Sequence, residues 1–350
     1  MAEKFDFAHE IERCAEISID WGKLDNKTIM ITGATGLVGK YLIEVLLRRN
    51  IQQQIHTKIV AVGRSRKKFL ERFSNLEGLE DVVFYEHDVQ HPCDYSGKLD
   101  YIVHMASNTH PRLYASDPIG TEMANIFGTY YLLEKAAENP TCRFVFTSSG
   151  DIYGDNRSGK EYLSEEDCGY IDCNTLRAGY IEGKRASEAL CNAYREAKQV
   201  DFVTARLCRI YGPTMQTADS KAISQFINKA VEGQDIVLKS KGTQIFSYLY
   251  IYDVVSALLT VIANGKSGHA YNIADNQQVI SLKDLAAMLA EIGGGKVIFD
   301  LPDEVEAKGA SSFQDVRLDA SKLYRLGWRS EVDLFSGLRT TVERLRKNIG

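Results

Sequence analysis

The sequence predicts an α/β protein with a Rossmann-like, doubly wound parallel sheet and a smaller mixed α/β C-terminal lobe. Up to Pro213 short apolar segments alternate with helical ones, which is the pattern of parallel strands joined by crossover helices on both faces of a sheet. A glycine-rich segment, residues 32–39, separates the first apolar strand from the first apolar helix. Beyond Pro213 a helix is followed by short strands, which predicts the smaller lobe.

The predicted elements follow from apolar periodicity and from the turn residues between apolar segments. Strands of the main sheet are predicted at residues 28–32, 58–62, 82–85, 101–105, 143–147 and 202–207. Helices are predicted between them at residues 37–47, 119–137 and 180–197. Further along we predict helices at residues 222–232, 253–263 and 282–292, and strands at residues 236–238 and 270–273.

Three parts are predicted along the chain. They are a helical extension at residues 1–26, a Rossmann domain at residues 27–213, and a lobe at residues 214–350 that is interleaved with late elements of the sheet. In the extension, apolar residues recur at helical spacing, at positions 7, 11, 14 and 15. We expect this helix to pack on the surface or on a neighbouring subunit.

Composition is that of an ordinary soluble globular protein. Hydrophobic residues make up 44% and charged residues 25%, the formal net charge is −5, and the pI is about 5.9, so nothing suggests a nucleic-acid or membrane partner. No apolar run approaches the roughly 18 residues that span a bilayer. The N-terminus lacks the features of a signal peptide. The seven cysteines are scattered without a Cys-x-x-Cys spacing, which predicts reduced thiols in a cytoplasmic protein without a metal site.

The glycine-rich segment has the spacing of a dinucleotide-binding turn. Gly33 permits the tight turn, Gly36 lets the backbone approach a pyrophosphate, and Gly39 allows close packing of helix and strand. Backbone N–H groups of the same turn and the helix dipole favour the anion. We therefore predict a bound NAD(P) on this turn, with contacts also from the neighbouring residues Thr35, Leu37 and Val38.

The ends of the next strands complete the predicted cofactor site. The acidic residue that binds the ribose of NAD is missing after the second strand, where Arg64 stands instead. Arg64 can meet the 2′-phosphate of NADP, or it can simply belong to a solvated basic helix start. Asp88 and Val89 are placed to meet the adenine, although Asp88 can alternatively cap a turn. After the fourth strand, residues 106 and 107 (Ala106, Ser107) are also candidate cofactor contacts.

Three polar residues suggest redox chemistry at a carbinol carbon. Tyr180 and Lys184 lie one helical turn apart, and Ser149 follows the fifth strand. A tyrosine with an ordinary pKa near 10 is a poor base, but a lysine ammonium and a nicotinamide charge favour its phenolate. Tyr180 is then the predicted base and Ser149 the hydrogen-bond donor to the reacting oxygen. The alternative is a surface tyrosine, an exposed lysine and a strand-end serine without function.

Several motifs resemble one known family. They are the glycine turn, Asn125-Ile-Phe-Gly-Thr129, Ser148-Ser-Gly-Asp-Ile-Tyr-Gly154, the Tyr180/Lys184 pair, Tyr211-Gly-Pro213 and Leu326-Gly-Trp328. Between residues 27 and 345 the chain resembles an extended short-chain dehydrogenase/reductase of the NAD-dependent epimerase/dehydratase type, which acts on nucleotide sugars. The resemblance implies a Ser149/Tyr180/Lys184 triad and transient oxidation of the sugar at C4. It also implies that Asn125 supports the active-site helix, and that the protein is a homodimer.

The residues after Ser149 bear on the reaction that comes after C4 oxidation. The 4,6-dehydratases of this family usually carry Asp-Glu there, whereas this chain has Gly150 and Asp151. Relatives that decarboxylate also lack the first acid. Asp151 is thus a candidate acid/base, or it is a turn residue.

Many relatives bind the substrate's phosphates with two arginines; the first is replaced in this chain, and the second does not align cleanly. Phe246 stands where many relatives carry one, and Arg317 lies near the expected place of a second. Arg209 and Arg177 are the candidate substrate contacts, or they are surface and ion-pair residues. We predict an NAD(P)-dependent nucleotide-sugar epimerase, dehydratase or decarboxylase, with NADP slightly favoured. An NADPH-dependent keto-sugar or carbonyl reductase is the alternative.

Overall fold

The computed structural model describes residues 7–53, 55–74, 76, 78–109, 116–176, 178–216, 219–300 and 315–347. Arg177, a predicted substrate contact, lies outside the described residues. The strands, β1 to β13 in chain order, are Thr28–Thr32, Lys58–Gly63, Val82–Glu86, Tyr101–His104, Arg143–Ser149, Asp201–Leu207, Arg209–Tyr211, Ile236–Leu238, Ile245–Tyr250, His269–Ile273, Val279–Ser281, Val297–Phe299 and Asp315–Val316. The α-helices, α1 to α10, are Phe7–Ala15, Leu37–Gln53, Arg66–Arg72, Pro118–Ala137, Ala178–Lys198, Ala222–Val231, Ile251–Asn264, Leu282–Gly293, Ser321–Tyr324 and Leu334–Lys347.

The large sheet has seven strands in the order β10-β6-β5-β4-β1-β2-β3. Every pairing in it is parallel. The strand order reverses between β1 and β4, which creates the crevice where doubly wound sheets bind ligands. The predicted Rossmann-like fold is confirmed.

Helices cover both faces of the sheet, because successive strand residues point to opposite faces and both sets are apolar. Met30 points into a core shared with helices α4 and α5, whereas its neighbours Ile29 and Ile31 belong to the core beneath α2 and α7. All three are almost fully buried, and each such side chain contributes about 1.5–3 kcal/mol.

The smaller lobe is built from short strands at the carboxyl end of the large sheet. In its four-stranded sheet β9 is central, with β11, β13 and β7 as partners, and β12 pairs with β8 separately. Strand β7 follows β6 after the single residue Cys208, so the lobe begins directly where a strand of the large sheet ends. Strand β10 returns from the lobe to pair with β6.

The N-terminal helix α1 packs on its own chain. Ile11 and Cys14 are buried in the core, and the carboxylate of Glu10 accepts hydrogen bonds from the hydroxyls of Tyr41 (2.7 Å) and Tyr250 (2.9 Å). Burial raises the pKa of Glu10 despite these bonds. The extension therefore ties α2 to strand β9. Among the described residues, no helix combines the length and apolar character needed to cross a membrane.

Candidate active site

A cleft of about 460 Å³ opens at the carboxyl edge of the large sheet, under the smaller lobe. It brings together residues that are far apart in sequence. The predicted site residues that line it are Gly33, Thr35, Gly36, Leu37, Val38, Gly39, Arg64, Asp88, Val89, Ala106, Ser107, Ser149, Asp151, Tyr180, Lys184 and Arg209. Asn125 lies behind this wall.

The glycine turn is held in a shape that only small residues permit. Gly33 has a φ of +68°, which side-chain-bearing residues adopt rarely. A Cβ at position 39 would lie 2.3 Å from the carbonyl oxygen of Gly33, so helix α2 can pack this closely on the turn only with glycine there. The start of α2 thereby points its free N–H groups into the cleft.

Replacing Gly39 with alanine is expected to weaken dinucleotide binding at least tenfold. The new methyl group would meet backbone atoms of Gly33 and Ala34, which forces the turn away from α2. Isothermal titration calorimetry with NAD and NADP measures the effect. Gly179→Ala is the matched control, because its Cβ would meet chiefly the flexible side chain of Glu122. Unchanged affinity in Gly39→Ala would contradict the assignment of this turn.

Thr32 and His104, which the sequence did not single out, organise the crevice between β1 and β4. The Thr32 hydroxyl oxygen accepts the backbone N–H groups of Met105 and Ala106, each at 3.0 Å, and lies 2.8 Å from His104 Nδ1. Burial, followed by the charge of Lys184, lowers the pKa of His104 to about 3, so its imidazole is neutral. These bonds hold the wall of the cleft after β4. In the sequence, the only sign of this arrangement is a histidine at the end of an apolar strand, β4.

Asn125 connects this wall to the helix that carries Tyr180. Its side-chain oxygen accepts a hydrogen bond from Ser107 Oγ at 2.8 Å, and its side-chain nitrogen donates to Thr121 O at 3.0 Å. Its backbone carbonyl accepts a bond from Ser187 on α5 at 2.9 Å. Fully buried, Asn125 fixes the distance between the loop after β4 and α5.

Ser149, Tyr180 and Lys184 all line the cleft, Ser149 at the end of β5 and the other two in the first turns of α5. The Tyr180 and Ser149 hydroxyls are hydrogen-bonded, and Lys184 Nζ donates to Thr147 O at 2.8 Å. Burial raises the pKa of Tyr180, as does the nearby carboxylate of Asp151. Burial also lowers the pKa of Lys184 to about 7. In the protein alone Tyr180 is therefore held in its neutral form, whereas Lys184 loses its charge as pH rises through neutrality.

Gly150 is explained by its neighbour Leu318. A Cβ at position 150 would lie 3.1 Å from Leu318 Cδ1, so a larger residue there needs Leu318 to move. Asp151, next in the short 3₁₀-helix Gly150–Tyr153, donates its backbone N–H to Ser149 Oγ at 3.1 Å. The space beside Ser149 is therefore apolar on the side of Leu318 and acidic on the side of Asp151.

Arg209 lies on Phe246 in the outer part of the cleft. The guanidinium carbon is 3.7 Å from the ring centroid, a cation–π contact that holds a planar cation on an apolar surface. Lys221 is a second cation of the cleft wall, with its Nζ 3.3 Å from Thr109 Oγ1 and 3.5 Å from Asp219 Oδ2. Arg317 is engaged elsewhere. It pairs with Asp315 and Glu161, each at 2.8 Å.

Arg64 and Asp88, the predicted contacts to the cofactor's ribose and adenine, both line the cleft but differ in their surroundings. Arg64 is exposed and precedes α3, whose N-cap is Ser65. Asp88 lines the cleft and also caps a turn, since its Oδ1 accepts the backbone N–H of Gln90 at 3.1 Å. Asp88 is thus a turn cap, and its position in the cleft also agrees with the predicted contact to the adenine.

The parallel sheet, the glycine turn at its strand-order reversal and the Ser-Tyr-Lys cluster define a Rossmann-type oxidoreductase. The model of the NAD dependent epimerase/dehydratase family matches residues 29–274. The chain belongs to this family, as predicted. UDP-glucuronic acid decarboxylase 1 of Xenopus tropicalis is 29% identical over 325 residues, which is 93% of this chain and 73% of that protein. The dTDP-D-glucose 4,6-dehydratase of Homo sapiens is 25% identical over 333 residues, covering 92% of this chain and 91% of that protein.

Solved structures show the same fold. The UDP-glucose 4-epimerase of Thermotoga maritima, determined with UDP-glucose, has a TM-score of 0.77 at 22% identity and covers 92% of this chain and 100% of that one. The UDP-glucuronic acid 4-epimerase of Bacillus cereus, determined with UDP-glucuronic acid and NAD, has a TM-score of 0.77 at 20% identity, with 92% and 99% covered. These relatives are decarboxylases, dehydratases and epimerases, which supports the main sequence prediction rather than the reductase alternative.

Proposed function

We propose that the protein is an NAD(P)-dependent nucleotide-sugar epimerase, dehydratase or decarboxylase that oxidises its substrate transiently at C4. The observation that carries this proposal is the buried Ser149–Tyr180–Lys184 cluster, which lies in the same cleft as the glycine turn. The names of the relatives support the nucleotide-sugar class. We assign cofactor binding and catalysis to residues 27–213 and most of the substrate binding to residues 214–350, with Arg209 as a substrate contact from the first of these ranges.

The cluster can move one proton at the C4 oxygen. Tyr180 takes the proton of the C4 hydroxyl, and Ser149 donates a hydrogen bond to the same oxygen. A nicotinamide dinucleotide held on the glycine turn at Gly33, Gly36 and Gly39 would supply the hydride acceptor and would allow the hydride to return. Because burial raises the pKa of Tyr180, the base becomes effective only beside positive charge. Lys184 contributes that charge in its protonated form, below its pKa of about 7.

The pair Gly150/Leu318 bears on the step after oxidation. Expulsion of a hydroxyl from C6 as water is assisted by an acid, and the place beside Ser149 is filled by the Leu318 side chain. Epimerisation and loss of a C6 carboxylate from the 4-keto sugar need no acid at that place. We therefore favour these two outcomes over dehydration. Asp151 is the candidate acid/base for proton exchange next to the ketone.

Turnover of a panel of nucleotide sugars in D2O, followed by NMR, tests the proposed function. The expected result is inversion at C4 without deuterium, inversion at C3 or C5 with deuterium at that carbon, or loss of the carboxylate signal from a uronic acid substrate. A new C6 methyl signal would show dehydration and overturn the inference from Leu318. Stoichiometric consumption of NADPH without exchange would identify a reductase and overturn the transient redox cycle.

The diphosphate of the substrate is proposed to bind Arg209, with Lys221 as a second cation. Among the described residues no side-chain carboxylate pairs with the Arg209 guanidinium, so its charge is available to a ligand. The 3.7 Å contact with Phe246 orients it. Both residues line the cleft, where a half-buried cation binds phosphate more strongly than a solvated one does.

Arg209→Ala is expected to weaken binding of the nucleoside diphosphate product by about 10–100-fold, because one charge-assisted contact is lost. Phe246→Leu removes the ring but keeps an apolar side chain, and a smaller loss is expected. Calorimetric titration with UDP and dTDP measures both. Arg317→Ala is the control, since its guanidinium already pairs with Asp315 and Glu161. Equal effects of Arg209→Ala and Arg317→Ala would contradict the assignment.

The cofactor is proposed to be NADP in preference to NAD. Arg64 stands where an acid would repel a 2′-phosphate, and it lies at the wall of the cleft. An exposed guanidinium at this place can bind a phosphate with two parallel hydrogen bonds. Family membership establishes the nicotinamide dinucleotide class, and the choice within it is our proposal.

Helix α4 carries two exposed aromatic side chains that are candidates for contact with a second copy of the chain. Phe127 and Tyr130 on α4 are 42% and 40% exposed, and neighbouring exposed apolar side chains are candidate interaction sites. Helix α4 packs along α5, which carries the Tyr180/Lys184 pair. We propose a homodimer in which this face meets its symmetry mate.

Phe127→Glu is expected to convert the homodimer to a monomer, because it would place two charges in an apolar interface. Sedimentation velocity over a range of protein concentrations measures the change. Phe299→Glu is the matched control, since Phe299 is 54% exposed at a different place, on β12. A dimer that survives Phe127→Glu but not Phe299→Glu would move the interface to the small lobe.

We place the protein in the cytoplasm. All seven cysteines are unpaired, which suits a reducing compartment. Burial raises the pKa of the Cys142 thiol to about 12 and that of Cys14 well above its ordinary value, so these thiols are protonated and unreactive.

A further inference from the structure

The ammonium group of Lys184 lies against an aromatic ring of the central sheet. Its Nζ is 4.8 Å from the ring centroid of Phe146, within the distance of about 6 Å at which a ring face attracts a cation. The same nitrogen donates to Thr147 O at 2.8 Å. Among the described residues no carboxylate forms an ion pair with Lys184, and Glu188, one turn further along α5, pairs with Arg206 at 2.8 Å. The charge of Lys184 therefore meets a carbonyl oxygen and the face of a ring.

Phe146 belongs to β5, the strand that ends at Ser149. Side chains alternate along a strand, which places Phe146 and Phe144 on the face that α4 and α5 cover, and both are fully buried in that core. Lys184 is only 3% exposed, so its ammonium is almost wholly removed from water. A buried charge needs compensating contacts, and a cation–π contact is stronger when it is desolvated. The ring of Phe146 thus lies where it stabilises a cation most.

The titratable side chains that interact with Lys184 lie on α5 and β4. Glu188 favours the charged form of Lys184. Burial raises the pKa of Cys191 on α5, so its thiol stays neutral, and burial likewise raises the pKa of Tyr180. On β4, burial lowers the pKa of His104 to about 3, and the charge of Lys184 lowers it further. These groups leave the ammonium of Lys184 as a cation among mostly neutral neighbours.

The bond between His104 and Thr32 keeps the histidine neutral. A hydroxyl group has one hydrogen to donate and two acceptor positions. The Thr32 oxygen already accepts the N–H groups of Met105 and Ala106, so its hydrogen is donated to His104 Nδ1 at 2.8 Å. Protonation of Nδ1 would break this bond. His104 therefore adds no positive charge to that of Lys184.

We propose that Phe146 is a positioning residue, whose ring face holds the ammonium of Lys184 in place beside Tyr180. The role rests on the proposed function, because the ammonium assists the reaction only if Tyr180 is the base. The ring offsets part of the cost of burying the charge, so Lys184 stays protonated to a higher pH than it would beside an aliphatic side chain. Phe146 acts through Lys184, since its own side chain is fully buried.

The titration of Lys184, followed by NMR on the full chain with isotopically labelled lysine, tests this contact. The Lys184 signal is identified by its loss in Lys184→Met. Phe146→Leu is expected to lower the titration midpoint of Lys184 by about 0.5–1 pH unit, which corresponds to the loss of one cation–π contact. Phe144→Leu is the matched control, because it removes an equally buried ring from the same strand and the same core. It should leave the midpoint unchanged.

Pentafluorophenylalanine at position 146 gives a second variant that keeps the ring and its packing. Fluorine substitution reverses the charge distribution of the ring face, so the face no longer attracts a cation. The midpoint of Lys184 should then fall at least as far as in Phe146→Leu, whereas the same replacement at position 144 should have no effect. Equal falls at the two positions would identify a packing effect and overturn the inference. An unchanged midpoint with the fluorinated ring at position 146 would overturn it too.

The rate of cofactor reduction connects the contact to the proposed reaction. In Phe146→Leu its pH dependence should shift to higher pH, in the same direction as in Lys184→Met, because less ammonium is present at neutral pH to assist Tyr180. A lowered Lys184 midpoint without this shift would reject the positioning role of Phe146. The NMR titration needs no substrate, so it still tests the contact if no nucleotide sugar is turned over, which is the result that would reject the proposed function.

Discussion

Tyr180→Phe is expected to slow cofactor reduction in a single turnover by about 10³-fold, the loss typical of a removed general base. The phenylalanine keeps the ring that packs in the core, where Tyr180 is only 7% exposed. It removes the hydroxyl that bonds Ser149 and would accept the C4 proton. Stopped-flow absorbance of the reduced nicotinamide, with enzyme in excess over substrate, measures the step directly.

Tyr194→Phe is the matched control for this prediction. Tyr194 lies on the same helix, α5, and its hydroxyl bonds Glu134 away from the cleft. The control should reduce cofactor at the wild-type rate, while both variants bind the dinucleotide normally. Near-normal reduction in Tyr180→Phe would reject Tyr180 as the base. Loss of dinucleotide binding in the same variant would assign it a structural role instead.

Lys184 should make the same step depend on pH. Its pKa is lowered to about 7 by burial, so its ammonium charge is lost as pH rises through neutrality. The phenolate of Tyr180, in contrast, is favoured by rising pH. The ionisation of Tyr180 is therefore coupled to that of Lys184. Lys184→Met should shift the pH dependence of the cofactor-reduction rate to higher pH. An unshifted pH profile would show that Lys184 does not assist the ionisation of Tyr180.

The features that sequence predicted well depend on local patterns. The glycine turn and the strand before it need only spacing and apolar content, and strand β1 has the predicted bounds. The Tyr180/Lys184 pair can be recognised from its four-residue spacing, which is one helical turn. Such signals survive without knowledge of tertiary neighbours, because the residues that create them are close in the chain.

The features that sequence could not predict join distant segments. Leu318 fills the space at Gly150 from 168 positions away, and Arg209 lies on Phe246 through the pairing of β7 with β9. Strand β9 itself was not predicted, because its apolar residues run without a turn signal into helix α7. Only the three-dimensional structure shows that Arg209 lines the cleft and that its guanidinium lies on the ring of Phe246.

Asp253→Ala is expected to lower the free energy of unfolding by about 3 kcal/mol, because it leaves two buried backbone donors unpaired. Asp253 is fully buried in the first turn of α7. Its two carboxylate oxygens accept the N–H groups of Glu331 (2.8 Å) and Val332 (3.1 Å). It thereby ties the segment before α10 to the core. Urea unfolding followed by circular dichroism measures the change.

The stability that depends on Asp253 should also decline as pH rises. Burial raises the pKa of Asp253 to about 8 in the folded protein, from an ordinary value of 3.8. A raised folded pKa means that the contribution is complete below about pH 4 and is lost as pH rises through 8. Asp253→Asn, which stays neutral, lacks this dependence. From pH 5 to 8 the wild type should therefore lose up to about 1.4 kcal/mol per pH unit relative to Asp253→Asn. Parallel pH profiles of the two proteins would show that the carboxyl is ionised throughout, held so by the two backbone bonds.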